Sequence, residues 1–235
     1  MFLIFLTAFL AAAFALLSGF GLGTILTPVF LLFYQARIAI FLAAIIHLLN
    51  NLLKLTIFRR HVNFEIFKRF GILAILGALI GALSQAYMAN SLLKKLVGVL
   101  LVILGVKEFI PSRFQFRIPK TIDPLGGFFS GFLGGLIGKQ GAIRSTFLLN
   151  YDLSKEAFIA TGVIIACVID LVRIPVYWLS FGANLADSWQ LLSFLIGITF
   201  LGTLVGNLLL KRFSIANFRR FVALAIVLMG IYLFL

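Results

Sequence analysis

Apolar residues fall in blocks long enough to cross a bilayer, which takes about 20 residues, at 38–58, 70–88, 92–109, 155–180, 189–210 and 217–235. These blocks predict six plain spans. Two further apolar segments, 1–34 and 121–151, each precede three of the spans and are interrupted by glycine. The first carries Ser18-Gly19-Phe20-Gly21-Leu22-Gly23 and then Pro28, and the second opens on Ser130-Gly131-Phe132 and continues through Gly134, Gly135, Gly138 and Gly141. Such residues break helices. In lipid a break leaves backbone groups unpaired, which is tolerated only where it is buried in protein or lines a cavity. Two interrupted segments at matching positions in the two halves of a chain point to a transporter's binding site.

The pattern repeats internally. The triplet at 18–20 matches 130–132, and Phe30-Leu31-Leu32, Tyr34 and Phe41 match Phe147-Leu148-Leu149, Tyr151 and Phe158. Further on, adding 125 carries Gly77, Gly81, Lys94, Lys95, Gly105 and Phe109 onto Gly202, Gly206, Arg219, Arg220, Gly230 and Phe234. The chain therefore reads as a first membrane repeat over 1–110, a basic linker over 111–122 and a second repeat over 123–235, together one transporter domain. The fold class is all-α and polytopic, each repeat being a glycine-broken helix pair plus three spanning helices.

Charge bears on how the repeats are oriented. If each broken element enters and leaves on one face, thirteen basic residues share a side: Arg59, Arg60, Lys68, Arg69, Lys107, Arg113, Arg117, Lys120, Lys155, Lys211, Arg212, Arg219 and Arg220. Arg37, Lys94 and Lys95 occupy the other. If each element crosses once, the two sides carry eight apiece and the bias vanishes. Basic residues collect on the cytoplasmic side, so re-entrant pairs, inverted topology and extracytoplasmic termini are expected. A plain eight-span 4+4 arrangement is the alternative.

Composition narrows the function classes. The 235 residues are 63% hydrophobic and 11% charged, with a mean hydropathy of +1.17, far from a soluble composition. The net charge of +13 is scattered over short loops, a distribution that fits membrane topology and not nucleic-acid binding. Arg37 is the first basic residue, so no signal-peptide n-region is visible and Met1 is expected to remain. The single cysteine, Cys167, leaves no intramolecular disulfide and argues against a cysteine-rich metal site. No carboxylate pair, Ser-His-Asp set or phosphate loop is visible, so an enzyme is the weaker reading and no cofactor is expected. A non-transporting scaffold would leave the intramembrane cations unexplained.

Gly19 to Gly23 with Pro28, and Ser130 to Gly141 followed by Leu153-Ser154-Lys155-Glu156-Ala157 and Ala160-Thr161-Gly162, resemble the two motifs of the TauE/SafE family of sulfite and organosulfonate exporters. The second copy departs from the family's usual glycine triplet and proline, reading Gly138-Lys139-Gln140-Gly141-Ala142-Ile143-Arg144-Ser145. The resemblance implies a multi-pass protein of the plasma (inner) membrane that exports a small sulfur-containing anion. Its partners would be that anion, the lipid bilayer and, compatibly, a second copy of the chain. Another small anion, carried or conducted, is the alternative.

The candidate site gathers around the breaks. Lys139, Gln140, Arg144 and Thr146 follow the second break, where each intramembrane cation costs about 2.5–3.5 kcal/mol and Arg offers a planar fork for two oxygens of an anion. Gly21, Gly23, Thr24, Thr27, Gly138 and Gly141 form the breaks themselves. In the span after the first break, His47, Asn50, Asn51 and Lys54 make one polar stripe. In the matching span Asp170 and Arg173 are spaced to pair, as coupling or gating residues or as mutual neutralisers. With that pair set aside, Lys54, Lys139 and Arg144 are all positive, so the substrate is expected to be an anion. A reporter fused after Leu235 is expected to be active only outside the cytoplasm. Activity confined to the cytoplasm would overturn the inverted arrangement.

Overall fold

The computed structural model describes residues 2–18, 22–107, 109, 119–182, 189–209 and 216–235. Gly19, Phe20 and Gly21 of the first break, most of the 111–122 linker, and Arg113, Arg117, Lys211 and Arg212 of the charge bias lie outside the described residues. The protein is all-helical, with no strand among the described residues. Ten helices follow in order. They are α1 (Phe2–Ser18), α2 (Leu22–Phe30) and α3 (Ala36–Phe58), α4 (Phe64–Tyr87), then α5 (Asn90–Lys107), α6 (Asp123–Ile137), α7 (Gly141–Leu148), α8 (Lys155–Phe181), α9 (Trp189–Leu209) and α10 (Ala216–Phe234). Four are long and apolar enough to cross a bilayer, at Ala36–His61, Phe64–Tyr87, Lys155–Phe181 and Trp189–Leu208. Apolar stretches at 4–15 and 222–234 are shorter.

Local signals place several helix ends. Asn63 starts α4 by accepting from the Ile66 amide at 3.1 Å, and Ser154 starts α8 by accepting from the Ala157 amide at 3.2 Å, each relieving an amide that has no partner within its helix. Pro124 sits in the first turn of α6, where a missing N–H costs nothing. At the other end of α6, Gly138 adopts φ +75, its amide bonds the Gly134 carbonyl, and the Lys139 amide reaches back to Leu133. This left-handed cap ends the helix inside the protein.

Small residues then set the packing. A Cβ at Gly127, Gly131 or Gly135 of α6 would lie 1.9, 2.0 or 2.1 Å from the carbonyl oxygens of Phe70, Ala74 and Ala78. From the α4 side, Gly77 and Gly81 meet the carbonyls of Phe128 and Phe132 just as closely. The helices α4 and α6 therefore lie backbone to backbone and run parallel, since partner numbers rise together. Gly202 and Gly206 of α9 meet Phe9 and Ala13 of α1 in the same sense. By contrast α5 and α10 run oppositely, Gly98 against Gly230 and Gly105 against Ala223. So do α3 and α8, with Phe41 edge-on to Tyr177 and Phe181 and Asn63 bonded to Thr161.

Without a hydrophobic drive between helices in lipid, such close approach of backbones is what joins them. The outer faces carry large apolar side chains, Leu76, Ile80 and Leu83 on α4 and Phe194, Leu201 and Leu208 on α9. The inner core is built on α2 and α3 through Leu22, Leu26, Phe30, Ile40, Phe41 and Ile46. A Gly131→Ala protein, whose added methyl meets the Ala74 carbonyl, should lose at least about 1–3 kcal/mol of stability. Gly197→Ala, with open space beside it, should melt like the parent in the same detergent. Equal melting of both variants would refute the backbone contact.

Candidate functional site

The two glycine breaks meet. A Cβ on Gly23, at the start of α2, would touch the Gly138 carbonyl at 3.6 Å and the His47 ring at 4.0 Å. Across this junction the Lys139 ammonium donates to the Gly23 carbonyl at 2.5 Å. Residues 116 apart in sequence thus close on each other. Lys139, expected as an anion ligand, has a protein acceptor in this conformation.

The polar stripe of α3 divides between two neighbours. His47 and Asn51 turn to α8, where His47 Nδ1 lies 2.6 Å from Asp170 Oδ2 and the Asn51 amide caps the His47 ring at 3.1–3.2 Å. Asn50 turns to α9 and donates to Thr203 Oγ1 at 2.6 Å and the Thr199 carbonyl at 3.1 Å. Lys54 forms no hydrogen bond or ion pair among the described residues, though it is only 5% exposed.

Asp170 is the hub. Its Oδ1 accepts from Arg173 Nε at 2.8 Å and from the Gln140 amide at 3.3 Å, and the Arg173 fork is completed by Nη2 at 2.8 Å. The remaining Arg173 nitrogen, Nη1, donates to the Gly134 carbonyl at 2.9 Å. The expected Asp170–Arg173 pair is therefore present, extended to α3 by His47 and to α6 by Gly134. Both Asp170 oxygens are engaged, and Asp170 is 0% exposed.

Arg144 on α7 is partly buried, with Nε and Nη1 fully shielded and lacking any acceptor. It packs against Gly162 of α8, whose Cβ would sit 3.3 Å from Arg144 Nε. Lys54 lies one turn before Phe58, which packs on Ala160 of α8, two residues from the Gly162 that Arg144 covers. No carboxylate forms an ion pair with Lys54, Lys139 or Arg144 among the described residues.

The other candidates sit as follows. Thr24 and Thr27 are buried on α2, and the Thr27 hydroxyl has no partner. Gln140 keeps its side-chain oxygen unpaired, while its backbone carbonyl accepts from Ser130 at 2.9 Å. Gly141 opens α7. Thr146 points away from Arg144's neighbourhood, receiving a hydrogen bond from the exposed Lys107 at 2.7 Å and donating to Ala142. Gly21 lies outside the described residues.

Two contributors went unread in the sequence, Tyr177, whose hydroxyl donates to the Gly135 carbonyl, and Gln85, which donates to Leu136 at 2.9 Å. Either could have been noticed as a polar residue within an apolar span. A groove of about 150 Å³ between α5 and α6 is lined only by Leu96, Val99, Leu100, Ile103, Leu133, Leu136 and Ile137, which suits hydrocarbon and not an anion. No cluster of metal-ligating residues is found among the described residues.

Breaking a buried ion pair from one side leaves a stranded charge and costs roughly 3–5 kcal/mol. Asp170→Asn should therefore destabilise strongly, whereas Asp170→Asn with Arg173→Met should cost less than the single change. Chemical unfolding of the three proteins measures this, and a double variant weaker than the single would remove Asp170 as the hub. The family model described as sulfite exporter TauE/SafE matches residues 4–233. No curated protein and no solved structure matches the chain.

Proposed function

The chain belongs to the TauE/SafE sulfite exporter family, a family of membrane transporters, and from that premise we propose that it exports a small sulfur-containing oxyanion across the plasma membrane by alternating access. The observation that carries this reading is Arg144, with two shielded and unpartnered nitrogens, beside a buried Lys54 that has no carboxylate. Each such cation is costly in lipid, and a bound anion offsets that cost. The Arg144 fork takes two oxygens of the head group, and Lys54 supplies the second positive charge.

The inverted arrangement of the repeats is supported by the helix directions. Mates related by an axis along the membrane normal would run parallel, yet α3 and α8 run oppositely, as do α5 and α10. Under the 125-residue offset Gly98 becomes Ala223 and Gly105 becomes Gly230, so the contacts Gly98–Gly230 and Gly105–Ala223 exchange. A re-entrant second pair is supported because α4, joined to α3 by the short connection 59–63, is expected to reverse it across a bilayer and runs with α6, while α3 opposes α8. Hence α6 and α8 share a direction, and α7 between them returns.

Burial favours a carrier over an open channel. Lys54 is 5% exposed and the Arg144 Nε and Nη1 are fully shielded, so an anion reaches them only when part of the surrounding helix shell moves. Arg144→Lys keeps the charge but loses the fork, and with a charge-assisted hydrogen bond contributing roughly 1.5–3 kcal/mol the substrate affinity should fall by about ten- to a hundred-fold. Lys139→Gln, whose ammonium bonds a backbone carbonyl, should cost less affinity. Uptake of labelled sulfite into proteoliposomes, corrected for folded protein, checks both. Unchanged uptake in Arg144→Lys and in Arg144→Ala would remove Arg144 from the site.

A further inference from the structure

Resting on the anion site just proposed, we infer that the paired cations Lys54 and Arg144 make it selective for dianionic oxyanion head groups over monoanionic ones. The argument is a charge count at one place. The C-terminal half of α3 and the N-terminal half of α8 pack together where Phe58 meets Ala160. Lys54 lies one turn before Phe58 on α3, and Arg144 lies against Gly162, two residues after Ala160. The packing of Phe58 on Ala160 and of Arg144 on Gly162 thus places the two cations over the same stretch of α8.

No carboxylate forms an ion pair with either cation among the described residues, Asp152 being exposed and Glu156 half-buried in the first turn of α8. Asp170 already holds the Arg173 fork and Gln140 on one oxygen and His47 on the other. Glu65 pairs with Arg69 at an exposed site. Asp123 accepts the Tyr151 hydroxyl at the start of α6. The remaining neighbours, Arg173 and Lys139, are cationic and held by Asp170 and by the Gly23 carbonyl. Lys54 is 5% exposed and cannot extend its ammonium to bulk water.

Two positive charges held together in low dielectric repel, and an ion neutralising only one leaves the other stranded at several kcal/mol. An anion of charge minus two neutralises both. A planar fork and a point-like ammonium also suit three oxygens around one central atom, two taken by Arg144 and one by Lys54. Asn50, which turns to Thr199 and Thr203 on α9, and Thr146, which faces Lys107, take no part in this selection.

Sulfate and methanesulfonate are both tetrahedral and differ by one charge, so they separate charge from shape. The purified protein would be titrated with each at matched ionic strength, which reads binding independently of transport. The parent should bind sulfate at least about tenfold tighter than methanesulfonate, the loss of one charge-assisted contact. In Lys54→Gln the preference should shrink to less than about threefold, while Lys54→Arg, which restores the charge, should recover it. Size-exclusion profiles and helical circular dichroism establish that each variant is folded. Equal affinity for the two anions in the parent, no binding of either, a preference unchanged in Lys54→Gln, or two methanesulfonate ions bound per chain would each overturn the inference. Failure of sulfite uptake in proteoliposomes with the sulfate preference intact would instead overturn the transport reading and leave this one standing.

Discussion

A helix that stops inside a membrane leaves its last carbonyls without amide partners, and the site is organised around satisfying them. At the end of α6, Gly135 is capped by Tyr177 and Leu136 by Gln85, while the Gly134 carbonyl, bonded by the Gly138 amide, takes a second donor from Arg173. At the start of α2 the Gly23 carbonyl accepts from Lys139, and between α6 and α7 the Gln140 carbonyl accepts from Ser130 as well as from the Arg144 amide. The side-chain donors come from α4, α6, α8 and the break itself. The interruption is therefore a meeting point of elements distant in sequence, and the charged donors bring an excess of positive potential with them. The positive potential at the proposed anion site follows in part from the requirement that broken helices be capped in lipid.

The hub at Asp170 follows from the same constraint. Arg173 can cap Gly134 only if its own charge is compensated nearby, because an unpaired guanidinium in lipid is costly. Asp170, one turn earlier on the same helix, provides this, and its second oxygen then draws in His47 from α3. A single carboxylate thereby ties three helices together.

Much of this was legible in the sequence, and the limits have physical causes. Four of the six expected spans, the second break and the Asp170–Arg173 pair followed from hydropathy, glycine placement and helical spacing, which are local properties. Within the described residues, the stretches at 92–109 and 217–235 are not among the helices long and apolar enough to cross. What one helix face cannot reveal is the partner across an interface. His47, Asn50 and Lys54 lie on one stripe by spacing, yet α8 takes His47, α9 takes Asn50, and Lys54 pairs with neither. Lys139 had the sequence environment of an anion ligand, but its acceptor is a carbonyl 116 residues away, a distance over which no periodicity speaks. Tyr177 and Gln85 each stand alone in an apolar run, where nothing in the neighbouring residues marks them as caps.

The glycine seam between α4 and α6 also has a mechanical side. Most helix interfaces are cushioned by side chains that can change rotamer, so one helix can slide on another by small steps. Where Gly127, Gly131 and Gly135 lie on the carbonyls of Phe70, Ala74 and Ala78, no such cushion exists, and any shear drives backbone into backbone. The two helices act as one stiff strut, as do α1 and α9 along the seam at Gly202 and Gly206. The interface between α3 and α8 is built differently, from aromatic rings and the His47–Asp170–Arg173 network, side-chain contacts that can change rotamer where the struts cannot.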